Sequence, residues 1–283
     1  MSGRRLAGLA LAWALPGLAG ALPDPFPAVA RAYLVTVDGR ELWARRADAP
    51  LPPASLTKIM TGLLVLERAR LEDVATVSPA AARETGHRLG LRAGDRMAVG
   101  DLLTAALVGS ANDAAHALAD HVAGSEVRFV ALMNRRAKEL GLRRTRFANA
   151  AGHDAPGHAA SARDLARLAE AAMTHPAFAA RAAQVYATLR TADGARTFTL
   201  ENQNQLVGRY PGTTGVKSGY TPGAGRCVVA RAEAGGRRAT LVLLHASDRW
   251  WDAERILDRA LGREGRRGGL SRSSAGDPPP SGP

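Results

Sequence analysis

The strand signals of this chain lie at its two ends, with a long stretch of helical spacing between them. "AYLVTVDGRELWARR" alternates Tyr33, Val35 and Val37 up to Asp38-Gly39, a pair that tolerates the positive φ of a two-residue hairpin turn. "RCVVARAEAGGRRATLVLLHA" repeats the device around Gly235-Gly236, and "TGVKSGY" just before it offers a fifth strand. An isolated hairpin is marginal in water, so the two must join in one sheet. Residues 55 to 190 follow the helical period: Leu56, Ile59, Met60, Leu63 and Leu66 share a face, as do Leu118 and Val122. The expected fold class is α+β: an antiparallel five-stranded sheet built from both ends of the chain, flanked by helices, with a mostly helical insertion over roughly residues 70–190.

Local signals sharpen this outline. Ser161 and Asp164 in "SARDLARLAEAAM" have the spacing of a capping box. "RWWDAERILDRAL" is a closing helix expected to lay one of Trp250 and Trp251 on the sheet. The first 21 residues, with Arg4 and Arg5, a short apolar run and Ala19-Gly20-Ala21, read as a secretory signal peptide; an uncleaved anchor is the alternative. Residues 28–261 form the expected catalytic domain. Residues 262–283 are rich in Gly, Ser and Pro and read as a disordered tail.

Charge and rare residues narrow the function. The formal net charge of +12 favours anionic partners, yet the arginines are scattered and no nucleic-acid motif accompanies them, so nucleic acid is not an expected partner. Cys227 is the only cysteine, which excludes an internal disulfide, and its alternating context makes it core. The seven histidines show no HExxH spacing and no cysteine partners; neither a metal nor a cofactor is expected. Lysine is the informative residue: three of them, Lys58, Lys138 and Lys217, stand against thirty-five arginines. Arginine keeps its proton, whereas desolvation can turn a lysine into a base. Lys138, in "NRRAKELG", reads as a solvated side chain.

Lys58 follows Ser55 by three residues where Pro52-Pro53 gives way to the apolar repeat. That places the serine in a helix's first turn, where free N–H groups and the dipole favour negative charge, and puts the amine within reach of the hydroxyl. A neutral lysine there could take the hydroxyl proton. The competing structural reading makes Ser55 a helix cap and Lys58 a solvated charge. Two further clusters weigh against it: Ser110 and Asn112 in "VGSANDAAHALADHV", and Lys217, Ser218 and Gly219 in "TTGVKSGYTPGAGRC". The order S-x-x-K, S-x-N, K-[ST]-G is that of penicillin-binding proteins and serine β-lactamases.

In these motifs, and in the blocks "FVALMNRRAKELGLRRTRFANAAG" and "SARDLARLA", the chain resembles the D-alanyl-D-alanine carboxypeptidases of the low-molecular-mass penicillin-binding proteins, the S11 peptidases. The resemblance runs over roughly residues 33 to 261 and implies a β-lactamase/transpeptidase-like fold. It implies Ser55 as the acylated nucleophile, Lys58 as its general base and Ser110 as a proton relay to the departing D-alanine. It further implies that Asn112 holds the substrate backbone, that Lys217 and Ser218 take the terminal carboxylate, and that the N–H groups of Ser55 and Tyr220, beyond Gly219, form an oxyanion hole. The partners it implies are peptidoglycan stem peptides, with β-lactams as covalent inhibitors, outside the cytoplasm. The family's usual Thr and Gly are Ser218 and Ala111 here. Many relatives add a β-rich domain and an amphipathic membrane helix; this chain is expected to have no stable membrane domain after signal cleavage.

Three alternatives stand beside the carboxypeptidase. A D,D-endopeptidase would use the same residues on crosslinks. A β-lactamase would need a glutamate for deacylation, and Glu126, Glu139, Glu170 and Glu201 lie in no E-x-x-L-N pattern. A non-catalytic wall-binding protein would tolerate loss of motif residues, and all are present. His153 and His158 are expected to be surface or hydrogen-bonded structure, and Arg226 and Arg249 could steer an acidic substrate.

Overall fold

The computed structural model describes residues 24–263. The signal-peptide reading, and all of the tail except Gly262 and Arg263, lie outside them. In chain order the elements are β1 (Ala30–Val37), β2 (Arg40–Arg45), a 3-10 turn (Ala54–Thr57), α1 (Lys58–Arg68), β3 (Val74–Thr76), α2 (Pro79–Ala82), β4 (Arg96–Ala98), α3 (Val99–Leu107), α4 (Asn112–Ala123) and α5 (Glu126–Glu139). Then follow α6 (Ala162–Met173), α7 (Pro176–Ala182), β5 (Tyr186–Arg190), β6 (Thr197–Glu201), β7 (Thr213–Thr221), β8 (Gly225–Ala234), β9 (Arg237–Ala246) and α8 (Arg249–Ala260).

The two ends of the chain do share one antiparallel sheet, in the order β2-β1-β9-β8-β7. Asp38 and Gly39 (φ 51° and 77°), and Gly235 and Gly236 (56° and 74°), make both hairpin turns with positive φ at the two central positions. β1 pairs with β9 from Ala30 opposite Ala246 to Val37 opposite Ala239, which closes the sheet across the whole chain.

Strand alternation splits the apolar residues into two cores. Ala32, Leu34, Cys227, Val229, Val242 and Leu244 face the helical side and pack with α1, α3, α4 and α6. Tyr33, Val35, Val228, Ala230, Leu241 and Leu243 face the other side and pack with Trp250, Ala253, Ile256 and Leu257 of α8. Trp250 is the ring laid on the sheet; Trp251 stays half-buried. α1 is buried from Lys58 through Val65, so the central helix has both the sheet and other helices around it.

The insertion is less uniformly helical than its periodicity predicts. It contains the β3/β4 ladder, and β5 pairs with β6 past its expected end. The capping box is half formed. Ser161 Oγ accepts the Asp164 N–H at 3.1 Å, but the Asp164 carboxylate turns away to accept from the Arg144 N–H at 2.7 Å and the Thr145 hydroxyl at 2.8 Å. Tying down a loop outbid the reciprocal cap.

Candidate active site

Ser55 sits in the 3-10 turn ahead of α1, and no side chain caps either that turn or α1, so the reading of Ser55 as a cap fails. The turn is clamped on two sides by glycines. A Cβ on Gly219 of β7 would lie 2.8 Å from the Ser55 N, and one on Gly152, whose φ is +98°, would lie 2.1 Å from the Ala54 carbonyl oxygen. Only glycine lets strand and loop approach this closely. Ala54 itself has φ +50° and Ser110 φ +59°, positions that non-glycine residues occupy at a cost and mainly where the surroundings enforce them.

Lys58 is fully buried, and its Nζ lies 3.0 Å from Ser55 Oγ, 2.7 Å from Asn112 Oδ1 and 2.7 Å from the Ala151 carbonyl. Burial pushes its pKa down to about 7, against the opposing fields of Glu84 and Asp113. A neutral amine has two N–H donors and one lone pair. Asn112 and Ala151 take the donors, and the lone pair is left for the Ser55 hydroxyl.

Across the groove, Lys217 on β7 is 1% exposed and donates to Ser110 Oγ at 2.9 Å and to the Ser218 carbonyl at 3.0 Å. Burial, followed by the charges of Lys58 and Arg249, holds its pKa well below the usual lysine value. Ser218 Oγ donates to the Gln203 carbonyl at 2.7 Å, and Arg249 donates to the Gly219 carbonyl at 2.7 Å. Tyr220 is 45% exposed next to them. The structure therefore joins Ser55 with Lys58 and Asn112, joins Lys217 with Ser110 and Ser218, and brings Gly219 against Ser55. Asn112 is engaged at both ends of its amide, since Nδ2 donates to the Thr85 carbonyl at 2.7 Å.

Several supporting residues carried no motif. Asp113, fully buried, accepts the N–H groups of Leu89, Gly90 and Leu91 at 2.8–2.9 Å and so folds the 83–95 loop onto the groove. Its one sequence signal is an acid in the first turn of α4. Asn149 accepts from Gly152 and His153 N–H and shapes the loop that presents Ala151 to Lys58. His158, expected to be structural, is so: burial pushes it down to about 4, and the neutral ring bonds Thr57 Oγ1 at 2.9 Å. Glu84, His116 and Glu126 also meet near the groove, though no spacing announces them. A cavity of about 380 Å³ opens between Pro52–Ala54, the 152–158 loop and Gly223; the two lysines do not line it.

A serine beside one buried lysine and facing a second is the arrangement against which the comparisons with known proteins are set. The peptidase S11 family, D-alanyl-D-alanine carboxypeptidase, matches residues 27–248. The chain belongs to this family. The D-alanyl-D-alanine carboxypeptidase DacF of Bacillus subtilis is 37% identical over 214 residues, 74% of this chain and 55% of the relative. The chain thus spans little more than half of that relative's length. The D-alanyl-D-alanine endopeptidase of Pseudomonas aeruginosa is 32% identical over 74% of this chain and 68% of its own. Among solved structures, a D-alanyl-D-alanine carboxypeptidase from Mycobacterium tuberculosis superposes with a TM-score of 0.80 at 30% identity, covering 89% of this chain and 98% of its own. The β-lactamase/transpeptidase-like α+β fold is the one found. No helix among the described residues is long and apolar enough to cross a membrane.

Proposed function

We propose that this S11 family member is a serine-type D-Ala-D-Ala carboxypeptidase that removes the terminal D-alanine of peptidoglycan stem pentapeptides outside the cytoplasm. The observation that carries the reading is the 3.0 Å contact between Ser55 Oγ and the Nζ of a lysine whose pKa is lowered to about 7. Lys58 takes the Ser55 proton as Oγ bonds to the carbonyl carbon of the penultimate D-alanine. The carbonyl oxygen gains charge facing the Ser55 and Tyr220 N–H groups, an interaction worth roughly 3 to 4 kcal/mol per donor. The C–N bond then breaks, the departing amine receives a proton through Ser110, and D-alanine leaves. Water hydrolyses the Ser55 ester and returns the proton.

Lys217 and Ser218 receive the substrate's terminal carboxylate. An arriving anion raises the lysine's pKa and so favours the protonated, positively charged form that burial and neighbouring cations disfavour in the free groove. Asn112 acts first on Lys58, and on the substrate backbone only where its amide is released. β-Lactams would acylate the same hydroxyl. Of the four glutamates weighed for β-lactamase activity, Glu170 accepts from Thr240, Glu126 accepts from the Ala150 N–H, Glu139 pairs with Arg136, and Glu201 is exposed.

The endopeptidase reading is supported by relatives of that name from Pseudomonas aeruginosa and Escherichia coli, and uses the same residues on crosslinked peptides. Incubation with a pentapeptide muropeptide and with a crosslinked dimer, followed by mass analysis, separates the two. Loss of one alanine from the monomer supports the carboxypeptidase, and cleavage of the dimer alone replaces it with the endopeptidase. Failure of fluorescent penicillin to label Ser55 overturns both.

A further inference from the structure

Three side chains from separate elements converge beside the walls of the groove. Glu84, just after α2, His116 on α4 and Glu126 at the start of α5 each offer one ligand atom, and these atoms lie within 4.8 Å of one another. The two carboxylates are held from behind by hydrogen bonds, and the imidazole faces a fixed carboxylate. Glu84 Oε2 meets His153 Nε2 at 2.7 Å, and Glu126 Oε1 accepts the Ala150 N–H at 2.9 Å. His116 Nε2 faces Asp120 Oδ2 at 3.7 Å, and that same oxygen is fixed by the Ser78 hydroxyl at 2.7 Å. On the inner side Glu84 Oε1 shares a 2.6 Å hydrogen bond with His116 Nδ1, which a bound ion would replace with release of the bridging proton, and Glu126 Oε2 lies 3.9 Å from the same nitrogen. Metal ligands are commonly oriented in this way, with one atom on the ion and the other on an outer partner.

We propose that Glu84, His116 and Glu126 form a binding site for a divalent transition-metal ion of the zinc class, separate from the reacting groups. Tetrahedral donors about 2.0 to 2.1 Å from zinc stand about 3.3 Å apart, so the inner atoms need shift by less than about 1 Å to hold it. One imidazole nitrogen with two carboxylate oxygens suits zinc better than magnesium or calcium, which prefer all-oxygen sets. The side chains of Glu84 and His116 are 12% exposed and that of Glu126 25%, which leaves an entry path. A bound ion would cross-link both loops that flank the groove. Thr85, next to Glu84, holds Asn112, and Ala150, held by Glu126, adjoins the Ala151 carbonyl that holds Lys58.

The test needs no substrate, so it stands or falls apart from the peptidase reading. The full chain, stripped with EDTA and dialysed, is titrated with Zn²⁺ and assayed for bound metal and melting temperature. Expected are one equivalent bound at micromolar Kd or tighter and, at a hundredfold excess over Kd, a rise in Tm of roughly 5 to 10 °C. H116Q and E126Q should each weaken binding at least tenfold, and D120N by less than either, since Asp120 faces His116 at 3.7 Å without a hydrogen bond. H175Q, at the residue just before α7 and outside the cluster, should change nothing, and millimolar Mg²⁺ should not displace the ion. The melting temperatures of the metal-free variants report whether each one folds, and E84Q replaces any that does not. Less than half an equivalent bound, or binding undiminished in H116Q and E126Q, overturns the site and leaves the cluster as an ion-paired anchor. Displacement by Mg²⁺ overturns the assignment to the zinc class.

Discussion

The two walls of the groove each bury a lysine, and the walls treat it differently. On the helical wall, Lys58 has three well-placed neighbours and the carboxylates of Glu84 and Asp113 behind it, so its proton is held loosely but not expelled outright. On the sheet wall, Lys217 finds a hydroxyl and a carbonyl, with two cations as its electrostatic neighbours. The first environment suits a base working near neutral pH. The second suits a receptor for an anion that brings its own negative charge. What separates the two roles is the charge packed around each amine, since the residue type and the burial are the same.

The comparison can be broken in order of expected effect. Lys58→Ala should lower the rate of Ser55 acylation by about 10²- to 10⁴-fold, the range of a lost general base, measured with a fluorescent penicillin. Lys58→Arg should not restore it, because arginine keeps its proton. Lys217→Ala should reduce kcat/KM on a free-carboxylate peptide by about 10- to 100-fold, the scale of one charge-assisted hydrogen bond. The same variant should match the wild type on a C-terminally amidated peptide; an equal loss on both would deny Lys217 its anion-binding role.

Gly219→Ala touches the contact between the walls. Its Cβ would meet the Ser55 N at 2.8 Å, so a destabilisation of about 1 to 3 kcal/mol is expected by thermal melting, along with slower acylation. The pH dependence is the next smaller effect. Lys58, with its folded-state pKa near 7, gains its proton below that value, so acylation should fall about tenfold per unit as pH drops below 7 and level off above it. A profile flat from pH 5 to 8 would remove Lys58 from the role of base. The same shift affects stability: between pH 7 and the unfolded lysine value the unfolded chain binds more protons, so this residue's contribution to stability improves as pH rises through that window. The smallest effect is that of His158→Gln. A glutamine can still bond Thr57, so Tm should change by only about 2 to 4 °C, the equivalent of about 1 kcal/mol.

Legibility followed the range of the interaction. The hairpins at 38–39 and 235–236 were readable because a two-residue turn is a local demand for positive φ. The helical stripe from Leu56 to Leu63 was readable because its large apolar side chains recur at the helical spacing. β3, β4 and β5 were not, since strands of three to five residues carry too few positions to show a period. Asp164 shows how a local rule gives way, its carboxylate serving residues 144 and 145 in place of the cap.

Taken alone, the amino-acid order determined that one sheet joins both ends of the chain, and singled out the candidate serines and lysines, because turn chemistry, periodicity and short motif spacings are written within a few residues of one another. Only the tertiary structure decided that Lys58 lies against Ser55 with carboxylates behind it, and that Lys217 lies against Ser110 with cations as its electrostatic neighbours. It likewise decided that Asn112 grips Lys58 and that Glu84, His116 and Glu126 meet. Desolvation and Coulomb fields depend on distances between segments far apart in the chain, and those distances exist only once it has folded.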